Sequence, residues 1–108
     1  MQVTLEAQSG KWQIVAVAGR VDAQTSSQFD SECRCLATEG LKYIALDCSH
    51  LEYLSSAGLR VILVLSKELK KKGGELALVN PNDYVKMVLQ IAGLDQAVSI
   101  FNDVSELN

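Results

Sequence analysis

At 108 residues, with 48% apolar and 21% charged side chains, the chain has the size and composition of a single folded domain spanning residues 1–108. Its formal net charge is only −3. Nucleic acid is therefore not an expected partner, because neutralising phosphates requires a basic excess.

Met1 to Ala7 lack the basic start and apolar core of a signal peptide, so the expected location is cytoplasmic. Val3, Leu5 and Ala7 alternate with polar residues, which predicts a half-buried strand. Ser9 and Gly10 then turn the chain into a second, more apolar strand from Trp12 to Ala18, forming a hairpin. Gly19 to Asp22 lead into a helix whose start carries a capping box, Thr25 to Gln28. Phe29, Cys33, Leu36 and Ala37 share one helical face and form the expected buried stripe. Cys35 falls off that stripe and is the expected exposed thiol, and Gly40 ends the helix.

Tyr43 to Leu46 is a nearly unbroken apolar run, the pattern of a strand covered on both faces. Asp47 ends it, and a polar turn carries the chain to Ser55. A helix follows from about Ser56 to Lys72, stopped by Gly73 and Gly74, with Lys70, Lys71 and Lys72 complementing its dipole. Its apolar stretch, Val61 to Leu69, is broken by Ser66, Lys67 and Glu68 and is too short to span a bilayer. No membrane association is expected.

Leu59, Ile62, Leu63, Ser66 and Leu69 make the expected core face of this helix. Ser56, Arg60, Val64, Lys67 and Lys71 form a second stripe. Val61 and Val64 are apolar positions beyond what one core face requires. Glu75 to Val79 is the next buried strand, and Asn80 with Pro81 marks a cap and first turn. Val85, Val88, Leu89 and Ala92 line the core side of that helix, and Gly93 with Leu94 reads as its left-handed stop. Val98 to Phe101 is a last strand, and Asp103 to Glu106 is a second capping box. The sum is α/β: one domain with an N-terminal β-hairpin, then alternating helices and strands, and a mixed central sheet with helices packed on it.

Three cysteines are an odd count with no plausible disulfide framework, and Cys33 and Cys35, two apart on a helical stretch, point to different sides with His50 the one histidine to complete a site, so no metal and no cofactor are expected. The paired Ser55 and Ser56 carry the functional question, because a helix start presents outward N–H groups and a positive dipole. Three roles fit a hydroxyl there: a helix cap, a nucleophile, or a phosphate acceptor. Capping is the commonest. A nucleophile needs a base, and His50, in the same turn, is the one histidine available. No nucleophile-elbow or phosphate-loop motif accompanies it, so the chain is not expected to be an enzyme. Asp22 and Asp47 end strands, and two readings fit them equally: neighbours of Ser56 at the functional rim of a parallel sheet, or turn acids that simply cap backbone.

A phosphate on Ser56 would add a charge of about −1.5 to −2. The helix start tolerates that charge within the fold, and Arg60, one turn on, is placed to pair with it. In an apolar contact with another protein the same charge is unfavourable. Such a site switches binding without unfolding the domain.

These features together resemble the STAS domain, and in particular the stand-alone bacterial anti-sigma factor antagonists. The resemblance rests on Ala18 to Ala23, Leu46 to Ser49, Tyr53 to Arg60, Val79 to Pro81 and Ala92 to Leu94, in that order and spacing. The family's switch is often Asp-Ser-Ser-Gly-Leu, whose first serine is phosphorylated. Aligning Gly58 and Leu59 puts Ser56 at the acceptor and Ala57 at the second serine, with Ser55 in place of the acidic residue. Asp22 falls at the family's acidic position near the acceptor.

The resemblance implies a phosphorylation-controlled regulator that binds an anti-sigma factor acting as serine kinase, and so frees a sigma factor. A PP2C-type serine phosphatase reverses the modification. The implied phosphoacceptor is Ser56, with Ser55 as runner-up. The implied partner surface is Asp22, Ser55, Ser56, Ala57, Gly58, Arg60, Val61 and Val64. A small structural STAS subunit of a lipid-transport complex is the alternative that the same resemblance allows.

Overall fold

Local alternation and capping produce ten short elements in the computed structural model, which describes residues 1–107. They are β1 (Gln2–Ser9), β2 (Trp12–Val21), α1 (Ser26–Thr38), β3 (Tyr43–Leu54), α2 (Ser56–Lys71), β4 (Glu75–Val79) and α3 (Asp83–Ile91), then a 3-10 turn (Leu94–Gln96), β5 (Ser99–Phe101) and a second 3-10 turn (Val104–Leu107). The strands lie in the order β1-β2-β3-β4-β5, with β1 antiparallel to β2 and every later pair parallel. The expected mixed sheet and N-terminal hairpin are present.

Side chains alternate across β2, so Val15 and Val17 enter one core while Trp12 and Ile14 enter another. The first core takes the inner faces of all three helices, including Phe29, Cys33, Leu36, Ile62, Leu69, Val85 and Leu89. The second is smaller and is closed by the C-terminal segment, where Trp12 Nε1 donates to Leu107 O at 3.0 Å. The α1 stripe is as the periodicity predicts: Phe29, Cys33, Leu36 and Ala37 are its buried residues, and Cys35 is exposed.

The thiols differ accordingly. Burial pushes Cys33 up to about 12, with Asp30 and Glu32 adding to it, and burial and Asp47 push Cys48 up to about 12. Thiolate is the reactive form. A thiol-specific chromogenic reagent should therefore titrate one group, Cys35, in the native protein and all three in urea. Rapid native labelling of Cys33 or Cys48 would contradict this packing.

Several expectations shift. The strand beginning at Tyr43 does not end at Asp47. It runs on to Leu54, because β2 keeps pairing with it through Ala18↔His50, Arg20↔Tyr53 and Val21↔Leu54, with two register shifts. Thr25 occupies the α1 N-cap position, but its hydroxyl caps no helix N–H. It donates to Arg20 O at 2.8 Å and accepts from Asp22 N at 2.9 Å, a local turn that outcompetes the capping box.

The α3 cap is Asn82, not Asn80: its side chain accepts from Val85 N at 2.7 Å. Asn80 instead adopts φ +53° and donates to Ser49 Oγ at 3.2 Å. The core face of α2 runs through Gly58, Val61, Ile62, Leu65, Ser66 and Leu69, so Leu59 and Leu63 are only half-buried. Within α3, Val85 and Leu89 are buried while Ala92 is exposed. In β1, Leu5 and Ala7 are exposed, since this outermost strand packs chiefly on β2. The lysine run at the end of α2 also does more than complement the helix dipole. Lys70 Nζ donates to Ala97 O at 2.9 Å, and Lys72 Nζ donates to Ala37 O.

Candidate functional site

The C-terminal ends of β2 and β3 form one rim, joined where Ser55 N donates to Val21 O at 2.8 Å. That bond sets Asp22 and Ser55 side by side as each chain leaves the sheet. Ser55 has extended backbone and is the N-cap of α2, its hydroxyl accepting from Gly58 N at 3.2 Å. The cap consumes the Ser55 side chain and holds it half-buried. Ser56 is the first helical residue, is exposed, and its hydroxyl makes no hydrogen bond among the described residues. The two serines that look alike in sequence thus differ in availability.

Gly58 is buried directly beneath them. A Cβ there would stand 2.6 Å from Leu54 Cδ1 and 2.7 Å from Val21 Cγ1. Glycine lets the first turn of α2 rest on the ends of both strands, so this residue supports the site and is not part of its surface. Val61 is likewise buried between α1 and α2. Ala57 is half-buried, whereas Arg60 and Val64 are exposed. The surface expected from the sequence therefore narrows to Ser56, Ala57, Arg60 and Val64, with Asp22 beside it.

Asp22 organises its own turn. Its Oδ1 accepts from Gln24 N at 3.0 Å and Thr25 N at 3.2 Å, and Arg20 Nε lies 3.9 Å from Oδ2. Desolvation pushes this carboxyl up, but the hydrogen bonds from Gln24 and Thr25 and the Arg20 charge together hold it below its ordinary value. The rim therefore carries a fixed anion.

A cleft of about 260 Å³ separates the first turns of α1 and α2, lined by Ser26, Ser27, Arg34, Ala57, Arg60 and Val64 among others. Arg34 is tied to Asp30 at 2.9 Å. Arg60 has no ion pair among the described residues and stands one turn below Ser56.

Asp47 and His50 lie away from the two serines. Asp47 lies where β3 pairs with Val79, eight strand residues before Ser55, and its carboxylate accepts from Ser49 N and Oγ. His50 is exposed and paired in the ladder with Ala18. At about 3.3 Å per strand residue, five residues of extended chain keep its imidazole away from both hydroxyls.

One feature of the rim carries no sequence signal. Arg20 lies 4.4 Å over the Tyr53 ring, and Tyr53 stacks on Tyr84 with centroids 5.6 Å apart at 16°. The ladder ties β2, β3 and α3 together beside Asp22. Nothing in the spacing of residues 20, 53 and 84 announces it.

Residues 3–107 match the STAS domain family model. The chain is 34% identical over 101 residues to a Bordetella bronchiseptica protein named as an anti-sigma factor antagonist, BtrV, covering 94% of this chain and 84% of that one. Its structure is similar, with a TM-score of 0.85 and 26% identity, to a Thermotoga maritima protein described as an anti-sigma factor antagonist, over 97% of this chain and 88% of that one. It shares its fold with the anti-sigma factor antagonist SpoIIAA. The TM-score is 0.80 for the unphosphorylated form, over 97% of this chain and 91% of that one at 22% identity. It is 0.72 for the phosphorylated Bacillus form, over 97% and 95% at 21% identity. The chain belongs to the STAS domain family.

Proposed function

We propose that this protein is an anti-sigma factor antagonist of the cytoplasm, a regulator and not a catalyst, switched by phosphorylation of Ser56. Unphosphorylated, it binds an anti-sigma factor that is also a serine kinase, through Ser56, Ala57, Arg60, Val64 and Asp22, and a sigma factor is released. The observation that carries this reading is the division of labour between the serines. Ser55 is spent as a cap, while Ser56 offers a free, exposed hydroxyl at the start of α2.

Transfer moves the γ-phosphoryl group of ATP, held by the kinase, to Ser56 Oγ, with the hydroxyl proton going to a base on the kinase and ADP leaving. The product carries a charge of about −1.5 to −2. The dipole of α2 and the Arg60 guanidinium stabilise it within the fold, whereas Asp22 and an apolar partner surface repel it. A PP2C-type phosphatase hydrolyses the ester and restores the binding form. Relatives named as anti-sigma factor antagonists support the reading, and SpoIIAA, solved in both states, supports a fold compatible with a bound phosphate.

The test is to incubate the protein with the host's serine kinases and ATP and locate the phosphate by mass spectrometry. Phosphate is expected on Ser56, abolished by Ser56→Ala. Ser55→Ala keeps incorporation, although losing the cap costs about 1 kcal/mol of stability. Phosphate on Ser55, or none with any kinase, overturns the assignment.

A further inference from the structure

The two edges of the sheet are unlike. β5 is only three residues long, whereas β1 is eight residues long, Gln2–Ser9. An open edge presents unpaired N–H and C=O groups, which proteins commonly guard with lysine, proline or inward charge. β1 contains no lysine or proline, and Glu6 is its one charged residue. Val3 and Leu5 pair with Val17 and Val15, both members of the helix-side core, so they face that side. Leu5 is nevertheless 55% exposed.

We infer that β1 pairs antiparallel with β1 of a second copy of this chain, about a two-fold axis through Thr4 normal to the sheet. Charge, the β1 bulge and the start of the strand at Gln2 set this register, because centring on Val3 would leave only Gln2, Val3 and Thr4 paired within β1. Such an axis places side chains of the same sheet face opposite each other, so the apolar pair Val3 and Leu5 must meet its own counterpart. Centring on Glu6 sets two carboxylates directly opposite, which is destabilising. Centring on Leu5 runs the pairing through the irregularity between Leu5 and Gln8, where β1 holds one residue more than β2 and the facing of side chains flips.

Thr4 as centre pairs every residue from Gln2 to Glu6. Each Val3 meets a Leu5 on the helix side, each Gln2 meets a Glu6, and the two Thr4 side chains meet each other. The exposed Leu5 is covered, and one continuous sheet runs through both copies. The contact is smaller than a standard interface, so the dimer depends on concentration. Because the axis reverses strand direction, the two Ser56 rims sit at opposite ends of the joined sheet.

Sedimentation equilibrium of the whole chain, taken to millimolar concentration, tests this. The expected result is a monomer–dimer equilibrium whose dissociation constant rises about tenfold or more in Leu5→Lys, which sets a charge beside the apolar pair. The urea midpoint stays unchanged. In a Cys35→Ser background, Thr4→Cys gives a disulfide-linked dimer on mild oxidation and Gln8→Cys does not. A monomer at millimolar concentration, a dimer indifferent to Leu5→Lys, or equal cross-linking at residues 4 and 8 overturns the inference.

Discussion

Ser56→Asp is expected to abolish binding of the anti-sigma factor kinase, while Ser56→Ala binds as the unmodified protein does. The hydroxyl is exposed and free of hydrogen bonds among the described residues, so a carboxylate there disturbs no internal contact. The effect falls on the complex. Desolvating an unpaired charge at a protein contact costs on the order of 3 kcal/mol, more than a hundredfold in Kd. Titration calorimetry with the purified kinase measures it directly. The thermal midpoint of Ser56→Asp should remain within a few degrees of the wild type, because the helix start accommodates negative charge. Undiminished binding by Ser56→Asp would remove the switch and favour a permanently docked structural subunit.

Gly58→Val should be the most damaging single change at the rim, lowering stability by about 3 kcal/mol. A Cβ at this position falls inside contact distance of Leu54 Cδ1 and Val21 Cγ1, two side chains that are almost fully buried at the ends of adjacent strands. Neither can withdraw without opening the sheet end, and valine adds two further methyls to the conflict. Gly58→Ala is the milder case, because a helix favours alanine over glycine by about 1 kcal/mol and so offsets part of the overlap. Urea denaturation followed by circular dichroism ranks the two. A wild-type midpoint for Gly58→Val would show that α2 does not rest on the strands as described.

The parts of the fold legible in sequence are those where one physical signal dominates. The α1 stripe of Phe29, Cys33, Leu36 and Ala37 and the left-handed stop at Gly93 follow from periodicity and backbone sterics alone. The second half of β3 was hidden because Ser49, His50 and Glu52 are exposed and polar, and its pairing with β2 is a long-range fact. Local competition silences one cap and moves another: the Asp22 turn recruits the Thr25 hydroxyl, and Asn80 is drawn to Ser49 while Asn82 caps α3.

At the site, the turn at Asp22 and the helix start at Ser55 and Ser56 are legible because turns and helix starts have recognisable residues. Val61 and Gly58 are buried: periodicity locates a stripe without saying how wide the buried arc is, and the family pattern that marks Gly58 does not say which side of it faces out. The Arg20, Tyr53 and Tyr84 stack joins three distant segments and has no local trace.

β4 pairs with β3 only as far as Asp47, yet β3 continues to Leu54 with β2 alone at its side. Ser55 and Ser56 therefore stand on a two-stranded spit projecting past the body of the sheet, tied back by Asn82 Nδ2 donating to Leu51 O at 3.2 Å. Few of its residues answer to the core: beyond Cys48, only Leu51 and Leu54 of β3 are buried. Descendants of such a chain can rewrite the promontory residue by residue while the body stays unchanged. The surface beside Ser56 is thus open to change at positions that the core does not constrain.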